Sequence, residues 1–73
     1  MKFFIFSSPY QYYADNLIPV AKELSALGHE VIACYRLSET GSEFDMLTGK
    51  KVNRLSDRFF KGEKFDAVIL TQT

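Results

Sequence analysis

The chain has 73 residues and one cysteine, so one small domain, held by no intrachain disulfide, is the most it can build. Its 47% hydrophobic and 25% charged residues exclude a disordered tail, and nine Lys and Arg balanced by nine Asp and Glu exclude the basic stripe that nucleic acid or anionic lipid requires. No apolar run approaches the ~20 residues of a membrane span, and the run after Met1 is shorter than the core of a secretory leader, so a cytoplasmic protein is expected.

Phe3-Phe4-Ile5-Phe6, closed by Ser7-Ser8-Pro9, is a continuous apolar run that predicts a strand buried on both faces. From Asp15 to Leu27 the period changes: Leu17, Val20, Leu24 and Leu27 recur at spacings of three and four and predict an amphipathic helix. Asp15 or Asn16 would cap it, Pro19 would lie in its first turn, and Gly28 would end it in the left-handed conformation. A two-residue turn, Gly28-His29, leads into a second strand over Glu30 to Tyr35. Beyond it, Ser42 to Leu47 reads as a short helical turn broken at Thr48-Gly49. Asn53 to Phe60 reads as a second helix, with Lys51 to Leu55 as a short strand in the alternative. Lys50, Lys51, Arg54 and Arg58 are then the solvated face of that helix rather than a phosphate patch. Phe65 to Leu70 predicts a third strand, followed by Thr71-Gln72-Thr73.

The expected fold is α/β: a three-stranded parallel Rossmann-like half-sheet in the order β-α-β-(α)-β, an incomplete domain in which residues 1–73 form a single segment. Both helices are expected on one face. The other face and the edge of the first strand would then need self-association or a partner to cover them.

Ligands of open parallel sheets bind beyond the carboxyl ends of the strands, and Ser8, Tyr10, Tyr12, Arg36 and Gln72 fall there. Hydroxyls and amides suit polyols, rings cover apolar sugar faces, and Arg36 suits an anionic group. The first loop, Ser-Ser-Pro-Tyr-Gln-Tyr, has no glycine, so neither a dinucleotide fingerprint nor a P-loop is present and no cofactor is expected. His29 and Cys34 are alone of their kinds and form no metal-ligand pair. His29 falls in a turn at the amino end of the sheet, Cys34 inside an apolar strand, Asp66 at the amino end of the third strand, and Asp15 at a helix cap. No catalytic residue is assigned.

The stretch Leu17-Ile18-Pro19-Val20-Ala21-Lys22-Glu23-Leu24-Ser25-Ala26-Leu27-Gly28-His29-Glu30-Val31 resembles the first helix and second strand of GT-B glycosyltransferases, and the later Phe-Asp-Ala-Val-Ile-Leu run fits the same architecture. The resemblance implies a two-domain transferase. Its N-terminal half holds the acceptor, and a C-terminal half, absent from these residues, holds a nucleotide-sugar donor. Many inverting members carry a catalytic His in a Gly-His-x-x-Pro context before this helix. Aligned on Pro19, Gln11 and Tyr12 stand about there, so that base is missing and the segment is expected to be inactive alone. The competing expectation is a small non-enzymatic α/β module that self-associates through its open sheet edge.

Overall fold

The computed structural model describes residues 1–8 and 11–71. Five strands are present: β1 (Lys2–Ser7), β2 (Glu30–Arg36), β3 (Glu43–Asp45), β4 (Lys51–Val52) and β5 (Ala67–Thr71). A long helix, α1 (Gln11–Ala26), joins β1 to β2, and a single turn, α2 (Asp57–Phe60), precedes β5. They form one sheet in the order β4-β3-β2-β1-β5. β1 pairs in parallel with both β2 and β5, whereas β2 with β3 and β3 with β4 pair antiparallel.

This corrects the expected three-stranded parallel half-sheet: the sheet is mixed and has five strands. The difference lies in residues 42–52. Ser42 to Leu47 is not helical; Glu43, Phe44 and Asp45 pair with Arg36, Tyr35 and Cys34 across the ladder. Asp45 then folds the hairpin back, its Oδ1 accepting the Leu47 and Thr48 N–H groups at 2.7 and 3.3 Å, and Gly49 supplies the left-handed step at φ 74°.

The placement of the first strand is corrected too. β1 is an interior strand between β2 and β5, and the unpaired edge on its side of the sheet belongs to β5. Stepping from β2 back over β1 to β5 reverses the direction of travel, so a connection of the same hand crosses the opposite face of the sheet. Alternate residues of β1 accordingly meet different covers. Ile5, with Val31, Ala33 and Tyr35, packs under α1. Phe4, Phe6 and Cys34 pack under Leu55, Phe59 and Phe65. The single turn of α2 covers its face with rings rather than length: Phe59 stacks on Phe4 at 4.7 Å, and Phe60 meets Phe6 edge-on at 5.8 Å.

α1 starts four positions before the expected Asp15, which puts Asp15, Asn16 and Pro19 inside it rather than at its cap and first turn. Pro19 removes the donor that would reach the Asp15 carbonyl. Both residues are exposed, so water can serve that carbonyl. The buried stripe is Ala14, Leu17, Ile18, Ala21 and Leu24, rotated from the expected one, and Leu27 is 66% exposed. Fully buried alanines at 14 and 21 mark where the helix axis comes nearest the sheet. The helix ends where expected: Gly28, at φ 93°, donates to the Ser25 carbonyl and His29 to that of Leu24, the two bonds of a Schellman cap. Among the described residues, no helix is long and apolar enough to cross a membrane.

Candidate functional site

The carboxyl ends of β1, β2 and β5 share one rim. Of the five residues expected to touch ligand there, Tyr10 and Gln72 lie outside the described residues, as does the side chain of Tyr12. Ser8 is half-buried at the rim, and its N–H donates to the Thr71 carbonyl at 3.0 Å. Beneath it Thr71 Oγ1 donates to the fully buried Ser7 Oγ at 3.0 Å. Main chain and hydroxyls thus tie β5 to β1 at the point where the strand connections diverge to opposite faces, the usual place for a ligand crevice.

Arg36, the last residue of β2, is the charged group of this rim, and its surroundings are the most constructed part of the molecule. It stands opposite Glu43 in the β2–β3 ladder. Glu43 is only 3% exposed, yet its carboxylate is fully engaged. Arg36 Nε and Nη2 donate to Oε2 at 3.1 and 2.5 Å, Ser56 Oγ donates to the same oxygen, and the Ser56 N–H donates to Oε1 at 3.0 Å. Arg36 Nη2 also donates to Ser56 Oγ at 3.0 Å, and the guanidinium lies 5.5 Å from the Phe6 ring centroid. Ser56, at the start of α2, turns its hydroxyl to Glu43 rather than capping the helix. The three residues therefore bolt β2, β3 and the start of α2 together.

Burial alone would raise the Glu43 pKa. The hydrogen bonds from the Ser56 hydroxyl and N–H, then those and the charge of Arg36, outweigh it and hold the carboxyl below its ordinary range. Cys34 is driven the other way, to about 12, first by burial and then by the Glu43 and Asp45 carboxylates, against which Arg36 acts. It is a protonated core thiol at neutral pH, not a nucleophile.

An open cleft of about 530 Å³ lies beside this network, lined by Arg36, Gly41, Ser42, Glu43, Lys51, Val52, Asn53 and Arg54. It corrects the reading of Lys51, Arg54 and Arg58 as one helical face. Lys51 sits on β4, Arg54 in a turn, and Arg58 on α2, where its guanidinium binds Glu63 through Nε at 2.8 Å and Nη2 at 2.6 Å. Hydrogen bonds from Arg58 and then Lys2 hold the Glu63 carboxyl down at about 2. Only Lys51 and Arg54 of that group join Arg36 at the cleft. Periodicity could not single them out, because strand β4 is two residues long and Arg54 adopts φ 58° in no repeating structure.

At the opposite end of the sheet, His29 packs edge-on against Phe3 at 5.2 Å, and its Nδ1 is 3.3 Å from the Met1 amino group. Asp66 Oδ2 accepts the Lys2 N–H at 2.7 Å there. Both residues are remote from the rim. Among the described residues, no group of three or more His, Cys, Asp or Glu has metal-binding geometry. Comparison of the chain with protein-family models, with curated proteins and with solved structures finds no match.

Proposed function

We propose that residues 1–73 are the acceptor-side N-terminal portion of a glycosyltransferase that moves a sugar from a nucleotide-sugar donor, held by a second domain, to an acceptor at this rim. The observation that carries the reading is the course of the resembling stretch. Leu17 to Val31 runs as the end of a helix, a Gly28-His29 cap and the start of a strand parallel to β1, so that β1 and β2 end at one rim, where ligands of such sheets commonly bind. In this reading Ser8 and Arg36, with Tyr10, Tyr12 and Gln72, contact acceptor, and the donor domain brings the remaining chemistry.

The reading frame encoding this chain, expressed whole, is to be incubated with labelled nucleotide sugars and a panel of polyol and glycan acceptors. Transfer by the whole product and none by the 73-residue chain is expected. Transfer by the 73 residues alone, or a whole product that moves no sugar from any donor, overturns the reading.

A second reading is favoured by one observation. Phe60, Val68 and Leu70 are 58%, 39% and 44% exposed beside the unpaired edge of β5. A non-enzymatic module would use that edge to pair with a second copy, Val68 of one chain facing Leu70 of the other across an antiparallel two-fold.

A further inference from the structure

The cleft beside Arg36 concentrates positive charge. The chain as a whole is neutral, with nine cations against nine carboxylates. The cleft gathers three cations, Arg36, Lys51 and Arg54, against the single carboxylate of Glu43, which leaves two positive charges in excess. Glu43 is buried and its oxygens are already bonded to Arg36 and Ser56, so it is in no position to fold over and neutralise the others. Among the described residues no carboxylate pairs with Lys51, and Arg54 has only Asp57, outside the cleft lining, at 3.4 Å.

Two features show that the arrangement is held rather than incidental. Arg36 is locked through Nε and Nη2, which leaves Nη1 without a hydrogen-bond partner among the described residues on a group that is 38% exposed at the cleft. A guanidinium fixed on one edge and open on the other loses little freedom when it binds an anion. Arg54 occupies the left-handed region at φ 58°, where a residue other than glycine is disfavoured. The four glycines of the chain all take such positions, so this turn departs from the rule the rest of the chain follows, and it sets a cation at the cleft.

The lining also limits what can bind. Val52 is its one apolar residue of any size and it has no aromatic ring, so a base or the flat face of a sugar finds no platform. Ser42 and Asn53 add neutral hydrogen-bonding groups, and the volume of about 530 Å³ falls within the ~300–1,000 Å³ of small-molecule sites. Two excess positive charges and a fork-shaped donor match a tetrahedral dianion.

We propose that the cleft formed by Arg36, Ser42, Lys51, Asn53 and Arg54 is a binding site for the phosphoryl group of a small soluble ligand, a phosphate monoester or a diphosphate. The site does not rest on the transferase reading, since it needs neither a donor domain nor Ser8 and the first loop.

Equilibrium dialysis with labelled inorganic phosphate, pyrophosphate, hexose phosphate and unphosphorylated hexose, at low and at high salt, tests it and is insensitive to the oligomeric state. One saturable site per chain is expected, weakened by salt. Lys51→Gln and Arg54→Gly, singly and together, remove cleft charge without touching the buried network, and the pair is expected to weaken binding by roughly tenfold or more, ~1.4 kcal/mol. Lys22→Gln with Lys64→Gln, exposed lysines outside the cleft, is expected to leave binding unchanged. Equal affinity for inorganic phosphate and hexose phosphate supports the site and identifies the phosphoryl group as all that is recognised. Tighter binding of the ester supports it and extends the contact to the polyol. No saturable binding by the parent chain at up to ~10 mM ligand, where even a weak specific site registers, overturns the proposal. So does binding of unphosphorylated hexose as tight as that of its phosphate, or equal weakening by the two double variants.

Discussion

Arg36→Met is the most informative single perturbation, because it separates the charge of the network from its packing. The methionine keeps an apolar stem near Phe6 and removes both donors from Glu43 Oε2. Glu43 would then be a 3% exposed carboxylate holding only its Ser56 bonds. Breaking a buried pair in this way costs ~3–5 kcal/mol, and since Arg36 is itself 38% exposed the lower end applies, about 3 kcal/mol. A domain of this length has roughly 4–11 kcal/mol of stability in all. With m near ~1 kcal/mol/M, the urea midpoint should fall by about 3 M at pH 7, read by far-ultraviolet circular dichroism. In the parent, the lowered Glu43 pKa contributes stability that is complete above the unfolded value of 4.5 and is lost as pH falls through the folded value. In the variant, loss of the Arg36 bonds and charge leaves the Glu43 pKa higher than in the parent, so protonation relieves the penalty as pH falls. The gap between parent and variant should therefore narrow from pH 7 to pH 4. Arg36→Met with Glu43→Gln restores a neutral acceptor for the Ser56 N–H and should recover most of the loss. A double variant no more stable than Arg36→Met, or a gap that widens in acid, would refute the reasoning. Should Arg36→Met fail to fold, Ser56→Ala, expected to cost ~1–3 kcal/mol, carries the same pH test.

Three further outcomes follow from the packing. Phe4→Ala, at a fully buried ring stacked on Phe59, should cost ~3–5 kcal/mol and nearly unfold the chain, whereas Leu27→Ala, at an exposed position, should change the stability read by urea unfolding by less than the ~0.5 kcal/mol typical of surface changes. Because the Cys34 pKa is raised from 9.0 to about 12, the native state keeps a proton that the unfolded chain gives up, so stability should decline from about pH 9 upward and Cys34→Ala should flatten that limb in urea titrations at pH 8 to 11. The parent chain should sediment above its 8.4 kDa monomer mass as concentration rises to ~100 μM, and Leu70→Lys should restore the monomer; a parent that stays monomeric would show that the β5 edge and its apolar neighbours do not pair.

The parts of the fold that were legible in the amino-acid order are those whose signal is continuous. The apolar runs at Phe3 to Phe6, Val31 to Cys34 and Ala67 to Leu70 lie in β1, β2 and β5, and Gly28 marks the helix end. The buried face of α1 differs from the one the leucine spacing predicts, because alanines as well as leucines line it. Leu27 satisfies the spacing but lies beyond the last helical turn, and the nearest approach to the sheet is made by Ala14 and Ala21, whose small size permits it. The hairpin of β3 and β4 was illegible for a different reason. Its strands span three and two residues, too short to show alternation, and β3 is fixed by Arg36 and Glu43, a pair whose meaning appears only once β2 is in place.

The same dependence explains the candidate site. Arg36 is placed at the rim by the end of its strand, but nothing in the amino-acid order singles out Glu43 or Ser56, the latter falling inside the expected second helix, and Lys51 and Arg54 read as a solvated helix face. What joins them is the reversal of Asp45 to Gly49, which lays β4 beside β3 and brings residues 51–54 back to the end of β2. A buried carboxylate with all its bonds made does two things in such a place. It fixes one edge of the guanidinium, and by being inaccessible it leaves Lys51 without a carboxylate partner among the described residues and Arg54 with only Asp57, outside the cleft lining. If Glu43 served only to neutralise the cleft, an exposed carboxylate on β4 or in the 53–54 turn would do so without the desolvation cost of burying one. Its burial under Arg36 and Ser56 is instead what a rigid anion-facing guanidinium requires, and this ties the least regular stretch of the chain to the most constructed part of its surface.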